Sequence, residues 1–177
     1  AVKIFGDEAF MNPADREELT LGYFANREIG LFDVSFGIRY DQIDTNGSIT
    51  EHHEEEHHDE EEEHEEEEET TNYNFDTNNL SFSIDVRRSL NENWDVNFGY
   101  SSLERAPSVV ELFMNGPHLA TGRFEVGNTN LATETSNNID LGVSYANDNF
   151  FASLSFFIND VDNLSLIHIS EPTRRDQ

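Results

Sequence analysis

The amino-acid sequence predicts an all-β protein: an antiparallel up-and-down transmembrane β-barrel fragment of about six strands with long extracellular loops. Three observations support this fold class. Apolar and polar residues alternate with period two in six segments, short turns alternate with long connections, and aromatic residues collect near strand ends. The 177 residues contain no apolar stretch approaching the roughly 20 residues that a membrane-spanning helix needs.

The alternation is clearest between Phe32 and Tyr40, where apolar residues occupy every second position. Further strands are predicted over residues 80–86, 94–100, 139–145 and 152–158, with a weaker one over 19–25. Alternation alone does not distinguish a dry core from lipid, so a soluble β-barrel or sandwich is an alternative. A membrane is favoured by the aromatic residues near strand ends, Tyr40, Trp94, Tyr100, Tyr145 and Phe150. The opposite faces, including Asp85, Asp95 and Asp140, are then expected to line a lumen.

The connections indicate which ends of the strands lie together. Tight turns are predicted at residues 26–31, 91–93 and 147–149, and long loops at 43–75 and 104–133. Alternate connections of an up-and-down sheet lie at the same end, so both long loops are expected at one rim. Six strands are fewer than the roughly eight that close a barrel, so the chain is expected to be a fragment.

Charge and composition restrict the possible chemistry. The net charge of -27 makes nucleic acid an improbable partner. Because the chain has no cysteine, any metal must be bound by imidazole and carboxylate groups. The sequence has neither a Ser-His-Asp context nor a phosphate-binding glycine loop, so we predict no enzymatic activity and no organic cofactor.

Residues 51–69, EHHEEEHHDEEEEHEEEEE, form an acidic and histidine-rich run with fourteen carboxylates and five histidines. Its candidate metal ligands are His52, His53, His57, His58, His64 and Asp59. Zinc fits imidazole plus carboxylate best, copper and nickel also bind such ligands, and calcium would use the carboxylates alone. Protonation of the histidines should weaken binding below about pH 6. The alternative is a low-complexity loop that only keeps the surface hydrated.

The segment RAPSVVELFMNGPHLATGRFEVGNTNLATETSNNIDLGVSY, residues 105–145, resembles the late barrel of TonB-dependent outer-membrane receptors. The stretch GDEAFMNPADREELTLGYFANREIGLFDVSFGIRYD is similar to their middle strands, so the resemblance covers roughly residues 5–163. It implies a barrel of about twenty-two strands around a plug, energised through TonB. The histidine-rich loop resembles in particular that of zinc-uptake receptors.

The second long loop holds further candidates. His118 is predicted to belong to a tighter metal site near the run, with Glu111 and Glu125 as weaker candidates. The alternative is that GPHLATGRFEVGN serves only loop architecture. The resemblance also extends to haem receptors, whose paired boxes flank a haem-binding histidine, but Glu104 and Thr129 depart from those boxes.

These observations give one leading hypothesis and two rivals. Residues 1–163 are predicted to form a partial receptor barrel that takes up zinc or a similar divalent ion across the bacterial outer membrane. Its expected partners are the metal ion, outer-membrane lipid, and TonB through a plug that this segment lacks. The rivals are uptake of haem or a metal chelate, and a non-transporting β-module whose acidic loop binds calcium or a partner. Residues 164–174 resemble a translated sequencing adaptor, so residues 164–177 are predicted to be a non-native tail.

Overall fold

The computed structural model describes residues 11–53, 67–118, 123–165 and 168–170. Its elements in chain order are β1 (Asp15–Ile29), β2 (Phe32–His53), β3 (Glu67–Ser89), β4 (Trp94–Arg105), α1 (Val109–Phe113), β5 (Asn115–His118), β6 (Arg123–Val126), β7 (Glu134–Ala146), β8 (Phe151–Asp162) and β9 (His168–Ser170). Six of the strands form one antiparallel sheet in the order β1-β2-β3-β4-β7-β8, and β5, β6 and β9 form a second, smaller sheet. The predicted fold class is confirmed, with all six predicted strands present in the large sheet. The described residues include no helix of the length and hydropathy required for membrane passage.

The register gives the large sheet two chemically different faces. Directly paired residues share a face, and the paired rows continue across the sheet, as in the row of Phe36, Ile84, Tyr100, Ile139 and Ile158. We call this apolar side the outer face and the opposite side the inner face. Asp85, Asp95 and Asp140 lie on the inner face, as predicted for residues that line a lumen.

The apolar outer face is not covered by protein. Leu21, Leu141 and Phe156 are 65%, 50% and 62% exposed, which a dry protein core would not allow. Among the described residues, five of the eight buried apolar residues form one small cluster around α1 at the loop end of the sheet: Met11, Ala14, Val109, Leu112 and Phe113. A sheet that exposes its aliphatic and aromatic face along its whole width fits contact with lipid, as the membrane interpretation predicts.

The upper edge of the apolar outer face gives the strand tilt. The last outward apolar residues before the loop end are Leu19, Tyr40, Leu80, Tyr100, Ile139 and Ile158 on successive strands. Along the register this edge shifts by six residues across five neighbouring strand pairs. With about 3.3 Å per residue and about 4.8 Å between strands, the shift corresponds to a tilt of roughly 40°, within the range of membrane barrels.

Beyond this edge, β2 and β3 continue as a ribbon, which β1 accompanies as far as Asn46, and the polarity of its two faces is inverted. Outward positions become polar at Gln42 and Asp44, whereas Ile43 on the inner face is only 3% exposed. The prediction of a loop over residues 43–75 is therefore wrong for 43–53 and 67–75, which are strand. The alternation continues, but its phase changes because the outer face of the ribbon meets water and its inner face packs against the second loop.

Three further boundaries differ from the prediction. β1 extends to Ile29, so the predicted turn at 26–31 contracts to Gly30 and Leu31, with Gly30 at a φ of 64°. The segment 104–133, predicted as a loop, contains α1, β5 and β6. The turns predicted at 91–93 and 147–149 are present between strands. Both long connections lie at one end of the sheet, which we call the loop rim, and the short turns lie at the other, the turn rim.

The two faces should tolerate an added charge to different degrees, and neighbouring positions on β4 can test this. In the full-length protein, Phe98→Arg on the outer face should destabilise the fold in lipid vesicles by about 2–4 kcal/mol, because the guanidinium would face lipid. The matched variant Asn97→Arg on the inner face should cost clearly less. Urea titration of the vesicle-inserted protein measures both values, and an equal or larger loss for Asn97→Arg would contradict the assigned faces.

Candidate functional site at the loop rim

A short capped helix begins the second long loop. Ser108 is the N-cap of α1: its hydroxyl accepts from the Glu111 backbone N–H at 3.3 Å, and the Glu111 carboxylate accepts from the Ser108 N–H at 2.7 Å. This reciprocal pair satisfies two backbone donors that a helix start leaves without partners. The serine and glutamate of the RAPSVVEL segment therefore fix the start of the helix.

Arg105 ties this helix to the barrel wall. Its guanidinium donates to both carboxylate oxygens of Glu111 at 2.9 and 3.0 Å, and to Glu134 at the start of β7 at 3.0 Å. Arg105 and Ser108 together lower the pKa of Glu111 to about 2, and Arg105 also lowers the pKa of Glu134. We call Arg105, Glu111 and Glu134 the rim clip. It occupies both oxygens of Glu111, which was a weaker candidate metal ligand.

The helix packs beneath the β2–β3 ribbon. Phe113 is fully buried, and its ring centroid lies 6.3 Å from that of Tyr73 and 5.9 Å from that of Phe75. The ring covers Gly47, where a Cβ atom would come within 2.5 Å of it. The Asn115 side chain also donates to the Thr50 carbonyl at 3.2 Å. The ribbon that leads to the acidic run is thus anchored at its base by the second loop.

The return of the second loop closes onto the end of α1. The Gly127 N–H donates to Met114 O at 2.6 Å, and the Asn128 N–H donates to Glu111 O at 2.8 Å. A Cβ atom at Gly127 would lie 2.7 Å from the Leu112 carbonyl group, so only glycine allows this approach. Gly127 and Asn128 therefore fasten the return of the loop to the end of α1.

Below the rim, a cleft of about 550 Å³ opens on the inner face of β1–β4. Its charged groups form ion pairs: Arg39 donates to Asp41 at 2.8 Å and to Glu18 at 3.2 Å, and Arg16 lies 3.5 Å from the Glu18 carboxylate. Asn79 also lines the cleft and is 2% exposed, and its Oδ1 accepts no hydrogen bond from the described part of the chain. Asn79 thus contributes to the cleft wall an amide oxygen that is enclosed without a donor from the described residues.

The predicted metal ligands fall in different parts of the chain. His52 and His53 end β2, where the register sets them opposite Glu68 and Glu67. His57, His58, His64 and Asp59 lie outside the described residues. His118 ends β5 opposite Arg123, in the loop anchored to the ribbon base. Within the described ranges, no group of three or more His, Asp or Glu side chains is placed to hold a metal ion.

Sequence reasoning missed the rim clip and the charged network of the cleft. The Ser-x-x-Glu spacing of Ser108 and Glu111 is a capping-box signature and could have predicted the helix start. No comparable signal connects Arg105 with Glu134, because their proximity depends on the pairing of β4 with β7. Asn79 likewise gives no sign in the sequence that its amide oxygen is buried without a donor.

Comparison with known proteins identifies similar chains. Residues 6–173 match a family model described as "TonB dependent receptor-like, beta-barrel". This match extends into residues 164–173, and the non-native origin of residues 164–177 stays a prediction. Over 96 residues the chain is 33% identical to the ferric enterobactin receptor PirA of Pseudomonas aeruginosa, covering 48% of this chain and 13% of that protein.

A solved structure shares the fold. It is a double mutant of the Serratia marcescens hemophore receptor HasR in complex with its hemophore HasA and heme, with a TM-score of 0.71 and 18% identity. The similarity covers 91% of this chain and 27% of that chain. The protein thus spans roughly an eighth of the length of PirA and about a quarter of HasR. Both similar proteins are named as receptors, in keeping with the prediction that the chain is not an enzyme.

The rim clip should make α1 sensitive to acid. Because the pKa of Glu111 is depressed to about 2, its stabilising contribution is present above about pH 4.5 and is lost as the pH falls towards 2. Amide hydrogen exchange of residues 109–114 in the full-length receptor should accelerate over this range. Glu111→Gln should cost about 1–3 kcal/mol of local stability at pH 7 and flatten the pH dependence. Glu92→Gln at the turn rim is the control, and an unchanged pH profile in Glu111→Gln would refute the role of the clip.

The contact between Gly47 and Phe113 can be tested by adding one methyl group. Gly47→Ala should displace the Phe113 ring and speed protease cleavage between α1 and β5, because the new Cβ would overlap the ring. Gly22→Ala is the matched control, since its Cβ would meet nothing closer than 3.9 Å. Adding Phe113→Leu to Gly47→Ala should partly restore resistance. Equal cleavage rates for the two alanine variants would show that the ribbon does not rest on α1.

Proposed function

The chain belongs to the family of TonB-dependent receptors of the bacterial outer membrane, and we propose that it supplies part of the lumen wall and extracellular mouth of a receptor that imports a metal-containing nutrient. The observation that carries this proposal is the sheet itself, with its exposed apolar outer face, its polar inner face and both long connections at one rim. TonB, acting through a plug inside the barrel, is the proposed energy-transducing partner.

The first proposed cargo is a metal chelate such as a ferric siderophore. It is supported by the 33% identity to a ferric enterobactin receptor and by the cleft on the inner face, whose volume is in the range of small-molecule sites. Chelate hydroxyl or amide groups would donate to the Oδ1 of Asn79 after a shift of this side chain, since the oxygen is enclosed and has no donor among the described residues. Haem belongs to the same cargo class and is supported only by the fold similarity to a hemophore receptor.

The second proposed cargo is zinc, captured by the acidic and histidine-rich run. The proposed ligands are His52, His53, His57, His58, His64 and Asp59, with His118 in a tighter site nearer the lumen. The support is compositional: hydration alone would not require five imidazoles among fourteen carboxylates. Copper, nickel and calcium are the competing ions.

The ribbon favours a capture role for this run. Residues 41–53 of β2 extend about 40 Å along the strand beyond the apolar edge, which carries the run away from the membrane surface. At the ribbon end, Glu51 lies opposite Glu69 in the register. Opposed like charges destabilise a strand pair, and a bound divalent cation would relieve this repulsion. Metal binding would thus also stabilise the end of the ribbon.

Uptake by cells that carry the full-length receptor separates the two cargoes. A variant with all five histidines of the run replaced by glutamine keeps every carboxylate and serves as the matched test of imidazole ligation. If zinc is the cargo, this variant should lose at least tenfold in zinc affinity at pH 7.5, keep its calcium affinity, and import less radioactive zinc. The wild type should lose zinc affinity below about pH 6, because protonated imidazole does not bind metal.

Asn79→Leu tests the chelate cargo separately. It should reduce uptake of a ferric catecholate several-fold and leave zinc uptake unchanged, because it removes the acceptor and keeps the branched shape of the side chain. Unchanged zinc affinity in the glutamine variant would eliminate the zinc proposal. Wild-type rates of both uptakes in a strain without the receptor gene would eliminate the import function itself.

A further inference from the structure

Charged residues on the outer face are separated by sign between the two rims. In the described strands, every charged side chain on the outer face near the loop rim is acidic: Asp15, Glu17, Asp44, Asp76, Glu104, Asp160 and Asp162. Near the turn rim the outward charges are the two arginines Arg27 and Arg88. The inner face shows no such separation, since arginines and carboxylates occur there at both rims.

The outward arginines differ from the inward ones in their partners. Arg16, Arg39, Arg87 and Arg105 face inward, and each forms an ion pair with a carboxylate. Arg27 and Arg88 form neither an ion pair nor a hydrogen bond through their side chains with any described residue. The Nε atom of Arg88 is buried and unpartnered. Two cations at this rim therefore lack a counter-charge within the described protein.

Aromatic residues lie at the same rim as these arginines. The guanidinium carbon of Arg88 lies 5.2 Å from the ring centroid of Phe32, a cation–π contact that orients the group without neutralising it. Arg27 lies opposite Val34, so the two arginines flank β2 on either side, about 10 Å apart in strand spacing. Along the rim, Trp94 and Tyr145 pack at a centroid distance of 5.0 Å, as in an interfacial aromatic belt.

From this arrangement we propose that Arg27 and Arg88 form a binding site for the phosphate of an anionic phospholipid in the periplasmic leaflet. The turn rim lies at the periplasmic side, and guanidinium groups bind phosphate through parallel hydrogen bonds. Phe32 and the belt residues contact the glycerol and upper acyl region. The carboxylates at the loop rim would repel a directly bound phosphate there, so the same outer face distinguishes the two leaflets.

Native mass spectrometry of the delipidated full-length receptor tests the proposal, with phosphatidylglycerol and uncharged diacylglycerol as probes. Arg27→Gln and Arg88→Gln should each weaken phosphatidylglycerol binding about fivefold and leave diacylglycerol binding unchanged. Arg87→Gln is the matched control: it lies next to Arg88 on β3 but faces inward, where it pairs with Asp95 at 3.0 Å. This control should bind phosphatidylglycerol as the wild type does.

Undiminished phosphatidylglycerol binding in the double variant would overturn the proposal. So would a loss of phosphatidylglycerol affinity in Arg87→Gln as large as in the Arg27 and Arg88 variants. Wild-type binding of diacylglycerol as tight as that of phosphatidylglycerol would also overturn it. If the glutamine variants do not fold, Arg27→Lys with Arg88→Lys keeps the charge, and its binding should remain within about fivefold of the wild type. Wild-type phosphatidylglycerol binding should also weaken as salt is raised, and salt-independent binding would contradict a phosphate contact.

Discussion

The structure depends on one constraint: inside a bilayer each strand must pair its backbone polar groups with neighbouring strands while presenting apolar side chains to lipid. Period-two alternation meets both requirements at once, since a strand then carries apolar residues on one face and polar residues on the other. The continuous register from β1 to β8 keeps these faces aligned across six strands. The tilt, the position of the rims and the lumen lining all follow from that alignment.

Beyond the lipid boundary, the alternation continues but its apolar residues lie on the other face of the strand. On β2 the apolar positions pass from Phe36, Ile38 and Tyr40 to Ile43 and Ile49, so the apolar side changes from the outer to the inner face. The inner side of the ribbon then packs on Phe113, and the rim clip fixes α1 to β4 and β7. The ribbon that leads to the histidine-rich run thus rests on a defined base at the mouth.

The sequence was informative where one local pattern determines the structure. Period two over residues 32–40 and 139–145 predicted strands, faces and lumen-lining carboxylates, because alternation is a local property. It failed over 43–53, where Ile43 and Ile49 are the only large apolar residues, too few for the alternation to predict a strand. The rim clip could not be predicted from the sequence, because Arg105 and Glu134 are 29 residues apart and meet only through strand pairing. The metal ligands proposed in the run and at His118 rest on composition and resemblance alone.

The central claim is the orientation of the two faces, and site-directed spin labelling of β2 in the full-length, bilayer-inserted receptor tests it most directly. This segment contains no cysteine, so single cysteines can be placed from residue 32 to residue 50. Collisions with oxygen should be high at even positions up to 40. From 44 onward, even positions should instead collide with a water-soluble nickel complex. Oxygen access at odd positions between 33 and 39 would contradict the account. Access of oxygen rather than of the nickel complex at even positions from 44 to 50 would also contradict it.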